Sequence, residues 1–263
     1  MEMIFKDYIY KNKTINLTIK HNSIIGVTGE KLEPILNLIA LRTTGKGELK
    51  INDIKINQEN IRVFRKRIGY VKNKIEIEKY YKSVLDLLID EIKDKNLEFT
   101  NSSKKISDSL KIVGLNQSYL NRQINTLSNL EKKLIQIAIE LLSNPNVLVL
   151  NNPFNGLDLK NEKKLIILFQ KIKEQYQKTI IIGSNNSNLL YKYTTEMLYI
   201  KNDEILLQGS TNETYLRVDF LKRNKINIPE IVEFTYLAKK NKKVKIDYHK
   251  DIRDIIKDIY KHV

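Results

Sequence analysis

Two kinds of apolar pattern alternate along this chain. The short runs Ser23-Ile-Ile-Gly-Val27, Val147-Leu-Val-Leu150 and Lys178-Thr-Ile-Ile-Ile-Gly183 carry almost no polar position on either face. Such runs predict strands buried on both sides of a parallel sheet. Thr14-Ile-Asn-Leu-Thr-Ile-Lys20 instead alternates apolar with polar, the pattern of a half-buried strand, and residues 1–25 read as strands throughout. Between the runs, apolar residues fall at helical spacing. Ile35, Leu36, Leu38 and Ile39 form one set; Val84, Leu85, Leu87, Leu88, Ile89 and Ile92 form another. A further helix is expected from Ser107 to Val113, stopped by Gly114, and others over 160–175 and from Asp247 to Tyr260. Residues 76–143 read as mainly helical. Two hairpins complete the pattern: Gly45–Ile56 turning at Asn52-Asp53, and Tyr199–Gly209.

The junctions between these elements carry the candidate chemistry. The strand ending at Val27 runs through Gly26-Val-Thr-Gly29-Glu-Lys-Leu-Glu-Pro34 into a helix. Strand, glycine loop and helix are the frame of a phosphate-binding loop. They are equally the frame of an ordinary strand-to-helix turn. Pro34 is acceptable in the first helical turn, where its missing N–H has no helical partner. The strand at 147–150 stops at Asn151-Asn152-Pro153, because proline cannot continue a central strand. In Leu127-Ser128-Asn-Leu-Glu131, Ser128 fits a helix N-cap and Glu131 completes a capping box. Asp158 fits the N-cap of the helix that follows it.

Composition narrows the alternatives. The chain has 263 residues, enough for one large domain or a domain with an appendix, and a formal charge of +15. Its Lys residues are scattered and form no stripe, so the charge reads as a solvated surface and no nucleic-acid partner is expected. There is no Cys, hence neither a disulfide framework nor thiol catalysis. His21, His249 and His262 lie far apart and have no metal-ligand spacing, so no metal site is expected. No apolar run approaches the ~18 residues of a membrane span, and the first residues lack the pattern of a signal peptide.

The order of these junctions resembles that of ABC-type ATPases over almost the whole chain. Gly26 and Gly29 match the first two glycines of the Walker A loop, and the family's third glycine, lysine and Mg²⁺-ligating hydroxyl fall on Lys31, Leu32 and Glu33. Val147–Asp158 resembles the Walker B strand and D-loop, with the family's Asp and catalytic Glu replaced by Asn151 and Asn152. Asn73 stands at the Q-loop position, Leu127-Ser128-Asn-Leu-Glu131 at the L-S-G-G-Q signature, and Asn185 at the switch histidine. Thr28, and the stretch Asn224–Lys240 with Pro229, are similar to energy-coupling-factor (ECF) transporter ATPases.

The resemblance implies an α/β fold: an ABC-type, P-loop NTPase core with an antiparallel β subdomain and an inserted helical subdomain. It places the core at 1–212, the helical subdomain at about 76–143 and a C-terminal helical extension at 213–263. It implies ATP and Mg²⁺ as cofactors, met by Gly26, Thr28, Gly29, Glu30, Lys31, Leu32, Glu33 and Asn73. It assigns catalysis to Asn151, Asn152 and Asn185, and the dimer contacts to Ser128 and Asp158. Here the charges of that site are missing, and Glu30 and Glu33 add repulsion where a polyphosphate would sit. The chain's own site is therefore expected to bind Mg-ATP weakly or not at all, and to hydrolyse none at a useful rate.

The resemblance further implies a subunit of an ECF-type importer for vitamins or metal ions, on the cytoplasmic face of the cell membrane. Its partners would be a second ABC ATPase subunit, a transmembrane coupling protein and a substrate-binding membrane protein. The alternative reading is a working ATPase with a non-standard phosphate loop in which Lys31 serves as phosphate ligand.

Overall fold

The computed structural model describes residues 1–73, 81–242 and 246–261. Two sheets lie at its centre. The first has four antiparallel strands in the order β2-β1-β4-β5, with β1 Met3–Tyr10, β2 Lys13–Ile19, β4 Lys46–Ile51 and β5 Ile54–Lys55. The second has six strands in the order β10-β9-β3-β8-β7-β6. Its members are β3 Ile24–Gly29, β6 Ile68–Val71, β7 Val147–Asn151, β8 Thr179–Gly183, β9 Glu196–Lys201 and β10 Glu204–Ser210. All its pairings are parallel except β9 with β10.

The uninterrupted apolar runs are explained by two cores, one on each face of the six-stranded sheet. Val147 and Val149, with Ile181, Val27, Leu198 and Ile200, face the four-stranded sheet and join Phe5, Leu17 and Leu49. Leu148, Leu150, Ile180, Ile182 and Tyr199 face the opposite way and join Val84, Leu110, Ile135 and Phe169. Successive strand residues point to opposite faces, so a strand covered on both faces has no position left for a polar side chain. The half-buried β2 borders solvent on one face and keeps its alternation.

The helices fill the gaps between strands. Helix α1 Leu32–Ile39 follows β3, and α2 Ile61–Arg65 precedes β6. Between β6 and β7 lie α3 Val84–Asp94, α4 Ser102–Ile112 and α5 Asn129–Leu141. The expected start of this helical region at 76 lies outside the described residues. α4 begins before the expected Ser107, because Ser102 to Lys105 carry no apolar residue that could reveal helical spacing. It ends as expected, with Gly114 at φ 79, a left-handed stop that glycine adopts without Cβ strain. Beyond β7 come α6 Leu159–Tyr176, α7 Ser187–Tyr193, α8 Thr211–Tyr215, α9 Val218–Arg223, α10 Glu230–Lys242 and α11 Ile252–Lys261.

The closing helix α11 is shorter than the expected Asp247–Tyr260. Asp247 N–H donates to Asp258 Oδ2 at 3.3 Å, and His249 Nε2 lies 2.6 Å from the same carboxylate. These bonds fold residues 247–249 back along the helix as a strap. Both expected hairpins form. Asn52-Asp53 (φ 46 and 64) and Asn202-Asp203 (φ 51 and 61) supply the two left-handed residues of tight hairpin turns.

Candidate functional site

The glycine loop does not arch away from the sheet. Strand β3 continues through it, with Thr28 opposite Tyr199 and Gly29 opposite Ile200 on β9. The Glu30 N–H then donates to the Ile200 carbonyl at 3.0 Å. Gly29 has φ 124, and a Cβ there would collide with the Ile200 carbonyl oxygen. Only glycine allows so close an approach of two backbones.

Two further donors at the end of β3 are satisfied within the chain. Asn185, two residues beyond β8, accepts from Thr28 Oγ1 at 2.9 Å and from Gly29 N–H at 3.0 Å on the same amide oxygen. Lys31 takes a left-handed conformation (φ 47, ψ 61) as N-cap residue of α1 and makes no side-chain cap bond. Leu32 opens the helix and is buried in the core between the two sheets. The position the resemblance gives to a phosphate-binding lysine thus points into hydrocarbon. Glu30, Lys31 and Glu33 are exposed.

The end of β7 carries the second part of the site. Asn151 is 6% exposed; its Nδ2 donates to the Tyr70 hydroxyl at 3.4 Å, and its Oδ1 accepts from Asn152 Nδ2 at 3.3 Å. Asn152 is left-handed (φ 47) and its N–H donates to the Gly183 carbonyl at 2.9 Å. Burial raises the Tyr70 hydroxyl above its ordinary range, so it stays protonated at neutral pH. The Arg42 guanidinium lies 5.0 Å from the Tyr70 ring centroid, within cation–π range. A cleft of about 790 Å³ brings Glu33, Asn73 and Asn151 together with Tyr70 and Arg42. Asn152 and Asn185 do not line it.

Asn73 is held from two sides. Its carbonyl accepts from Lys133 Nζ at 2.9 Å, and its Oδ1 accepts from Asn155 Nδ2 at 3.3 Å. Lys133 is 5% exposed, and burial lowers its pKa. Neither Tyr70 nor Lys133 was picked out in the sequence. The available signal for Lys133 was its place four residues before Ile137, on the buried face of α5.

The signature-like loop closes on itself. Ser128 Oγ accepts from Glu131 N–H at 3.3 Å, while Glu131 Oε2 accepts from Ser128 N–H at 2.8 Å, completing the expected capping box. The other oxygen of Glu131 takes the Tyr119 hydroxyl at 2.7 Å and Arg122 Nη1 at 3.0 Å. Partial burial would raise this carboxyl. The bonds from Tyr119 and Ser128 and the Arg122 charge outweigh it and hold the pKa below the usual value. Asn129 Nδ2 reaches the Gly156 carbonyl at 3.2 Å. Asp158 caps α6 by accepting from Asn161 N–H at 2.7 Å.

This arrangement does not fit Mg-ATP. A polyphosphate needs free N–H donors and a cation at the loop, and its metal needs oxygen ligands of adequate charge. Here the Thr28 hydroxyl and the Gly29 and Glu30 N–H groups are spent on Asn185 and Ile200, an aliphatic side chain replaces the ammonium, and neutral amides occupy the end of β7. Glu33 adds a negative charge beside them. Among the described residues, no group of three His, Asp or Glu gathers to hold a metal ion. None of the described helices is long and apolar enough to cross a membrane.

Residues 12–155, more than half of the chain, match the family model described as ABC transporter. The energy-coupling factor transporter ATP-binding protein EcfA3 of Oenococcus oeni is 28% identical over 247 residues, covering 91% of this chain and 84% of that protein. EcfA2 of Enterococcus faecalis is 27% identical, covering 89% of this chain and 88% of its own length. Among solved structures, cbiO1 of Clostridium perfringens, part of the ABC transporter complex cbiONQ, superimposes with a TM-score of 0.73 at 20% identity. That match covers 89% of this chain and 98% of cbiO1. A nucleotide-free ATP-binding cassette from an ABC transporter gives 0.72 at 16% identity, covering 86% of this chain and all of the cassette. These two likenesses bear on the fold, which is that of an ABC ATPase cassette. Fold, loop order and the match over residues 12–155 agree: the chain belongs to the ABC transporter family.

Proposed function

We propose that this chain is the non-hydrolysing ATPase-like subunit of an energy-coupling-factor type importer, paired with a second ABC ATPase subunit that carries the working site. The observation that carries the reading is the internal pairing of the Thr28, Gly29 and Glu30 donors with Asn185 and Ile200, combined with Leu32 in the core. The relatives' names support the importer class, and vitamin or metal-ion uptake remains its proposed cargo. Residues 1–212 form the cassette, with the helical subdomain at about 76–143, and 213–263 the extension. Ser128 and Asp158 face the second ATPase subunit. Asn73 and the helical subdomain face a transmembrane coupling protein, which works with a substrate-binding membrane protein. The subunit sits peripherally on the cytoplasmic face of the membrane. Helix α11 supports a pairing role for the extension, because Ile252, Ile256 and Tyr260 stand exposed at i, i+4 and i+8.

The test is ATP hydrolysis by the chain co-purified with its ATPase partner. Inactivating the partner's Walker lysine abolishes phosphate release, whereas Lys31→Ala in this chain leaves it unchanged. Hydrolysis that survives loss of the partner's lysine and disappears with Lys31→Ala refutes the proposal.

A further inference from the structure

The C-terminal segment reaches Asn185 from its other side. Asn227, just before α10, donates from Nδ2 to the Asn185 main-chain carbonyl at 3.2 Å. Three residues on, the Glu230 N–H donates to Asn188 Oδ1 at 2.8 Å. Asn185, Asn227, Ile228 and Glu230 border one shallow groove. Asn185 is therefore held on its main chain by Asn227, three residues before α10, and bonds the glycine loop through its side chain.

We infer that Asn185 is a positioning residue that holds the loop closed from within, and that the C-terminal segment braces it. Its amide oxygen accepts the Thr28 hydroxyl and the Gly29 N–H, which leaves these two donors unavailable to a bound anion. An amide oxygen is an acceptor at every pH, whereas an imidazole loses its acceptor on protonation. Asparagine is thus the better permanent closure. Asn185 is exposed, so without a brace its side chain would sample several rotamers. The bond from Asn227 fixes its backbone, and the bond from Glu230 to Asn188 fixes the turn that follows. Loop closure consequently depends on the C-terminal segment being seated. This inference stands on the hydrogen bonds alone and holds whatever assembly the chain joins.

Residue-resolved amide hydrogen exchange on the full chain tests it. Asn185→Ala accelerates exchange at Gly29 by about tenfold, while Val27 in the middle of β3 keeps its rate. Asn185→Asp retains an acceptor oxygen and leaves Gly29 within about threefold of wild type. Asn227→Ala accelerates Gly29 by a smaller factor, about threefold, through the loosened brace. An unchanged Gly29 rate in Asn185→Ala overturns the inference. So does an acceleration shared equally by Val27, or one equal in the Ala and Asp variants. An unchanged Gly29 rate in Asn227→Ala overturns the brace.

Discussion

Asn151 and Tyr70 meet at the ends of adjacent parallel strands, where the amide of one donates to the hydroxyl of the other at 3.4 Å. Two neutral groups thereby occupy the place the family resemblance gives to a metal-binding carboxylate. Restoring the acidic residues leaves the loop closed and Leu32 in the core. The double variant Asn151→Asp/Asn152→Glu is therefore expected to show no Mg²⁺-dependent phosphate release above background, in a steady-state assay of the purified chain. Release that depends on Mg²⁺ would mean that the end of β7 alone was limiting.

Leu32 makes a second reversion uninformative for activity but costly for the fold. Its side chain belongs to the core between the sheets. Leu32→Lys removes apolar burial and brings an ammonium to the edge of that core. The expected loss is ~2–4 kcal/mol, read from urea unfolding, with no gain in ATP binding. A variant as stable as wild type would show that the side chain can swing out to solvent.

The capping box at Ser128 and Glu131 predicts a pH signature. Ser128→Ala should cost ~1 kcal/mol of stability at neutral pH. The Glu131 carboxyl has a folded pKa below its usual 4.5. Its contribution is thus present above that value and is lost as pH falls through the folded pKa. The stability gap between wild type and Glu131→Gln should accordingly be widest near neutrality and shrink in acid. A gap independent of pH between 7 and 3, on a scale where ordinary carboxylates titrate near 4, would contradict the assignment.

Lys133 behaves in the opposite sense. Burial lowers its pKa below 10.5, and the Asn73 carbonyl is its hydrogen-bond partner. Between the lowered folded value and 10.5 the unfolded chain binds more protons, so this group favours folding more as pH rises. Lys133→Met should be close to neutral or stabilising at pH 7. Wild type should then gain on Lys133→Met as the pH is raised, in unfolding curves measured across the alkaline range. A constant difference would place the Lys133 ammonium in water.

What the sequence reveals and what it conceals divide along contact distance. The buried strands, both hairpins with the Asn52-Asp53 turn, the Ser128–Glu131 box and the Asp158 cap are local patterns, and each was legible. Helices α7 to α9 were not, because five to seven residues are too few to establish a period. The loop substitutions were legible as lost charges. Their structural consequence was not, since Asn185 lies 157 residues from Thr28 and Tyr70 lies 81 from Asn151. No spacing rule connects such pairs. The sequence suggested a loop deprived of its ligand chemistry, and the fold adds that the chain itself supplies the missing acceptor.

The most direct measurement is calorimetric titration of the purified chain with ATP in the presence of Mg²⁺. A loop closed by Asn185 and Ile200, with Leu32 buried, predicts no binding heat at nucleotide concentrations up to about 1 mM, an affinity weaker than roughly −4 kcal/mol. Micromolar binding that Lys31→Ala removes would contradict the account and make this a cassette with a rebuilt phosphate loop.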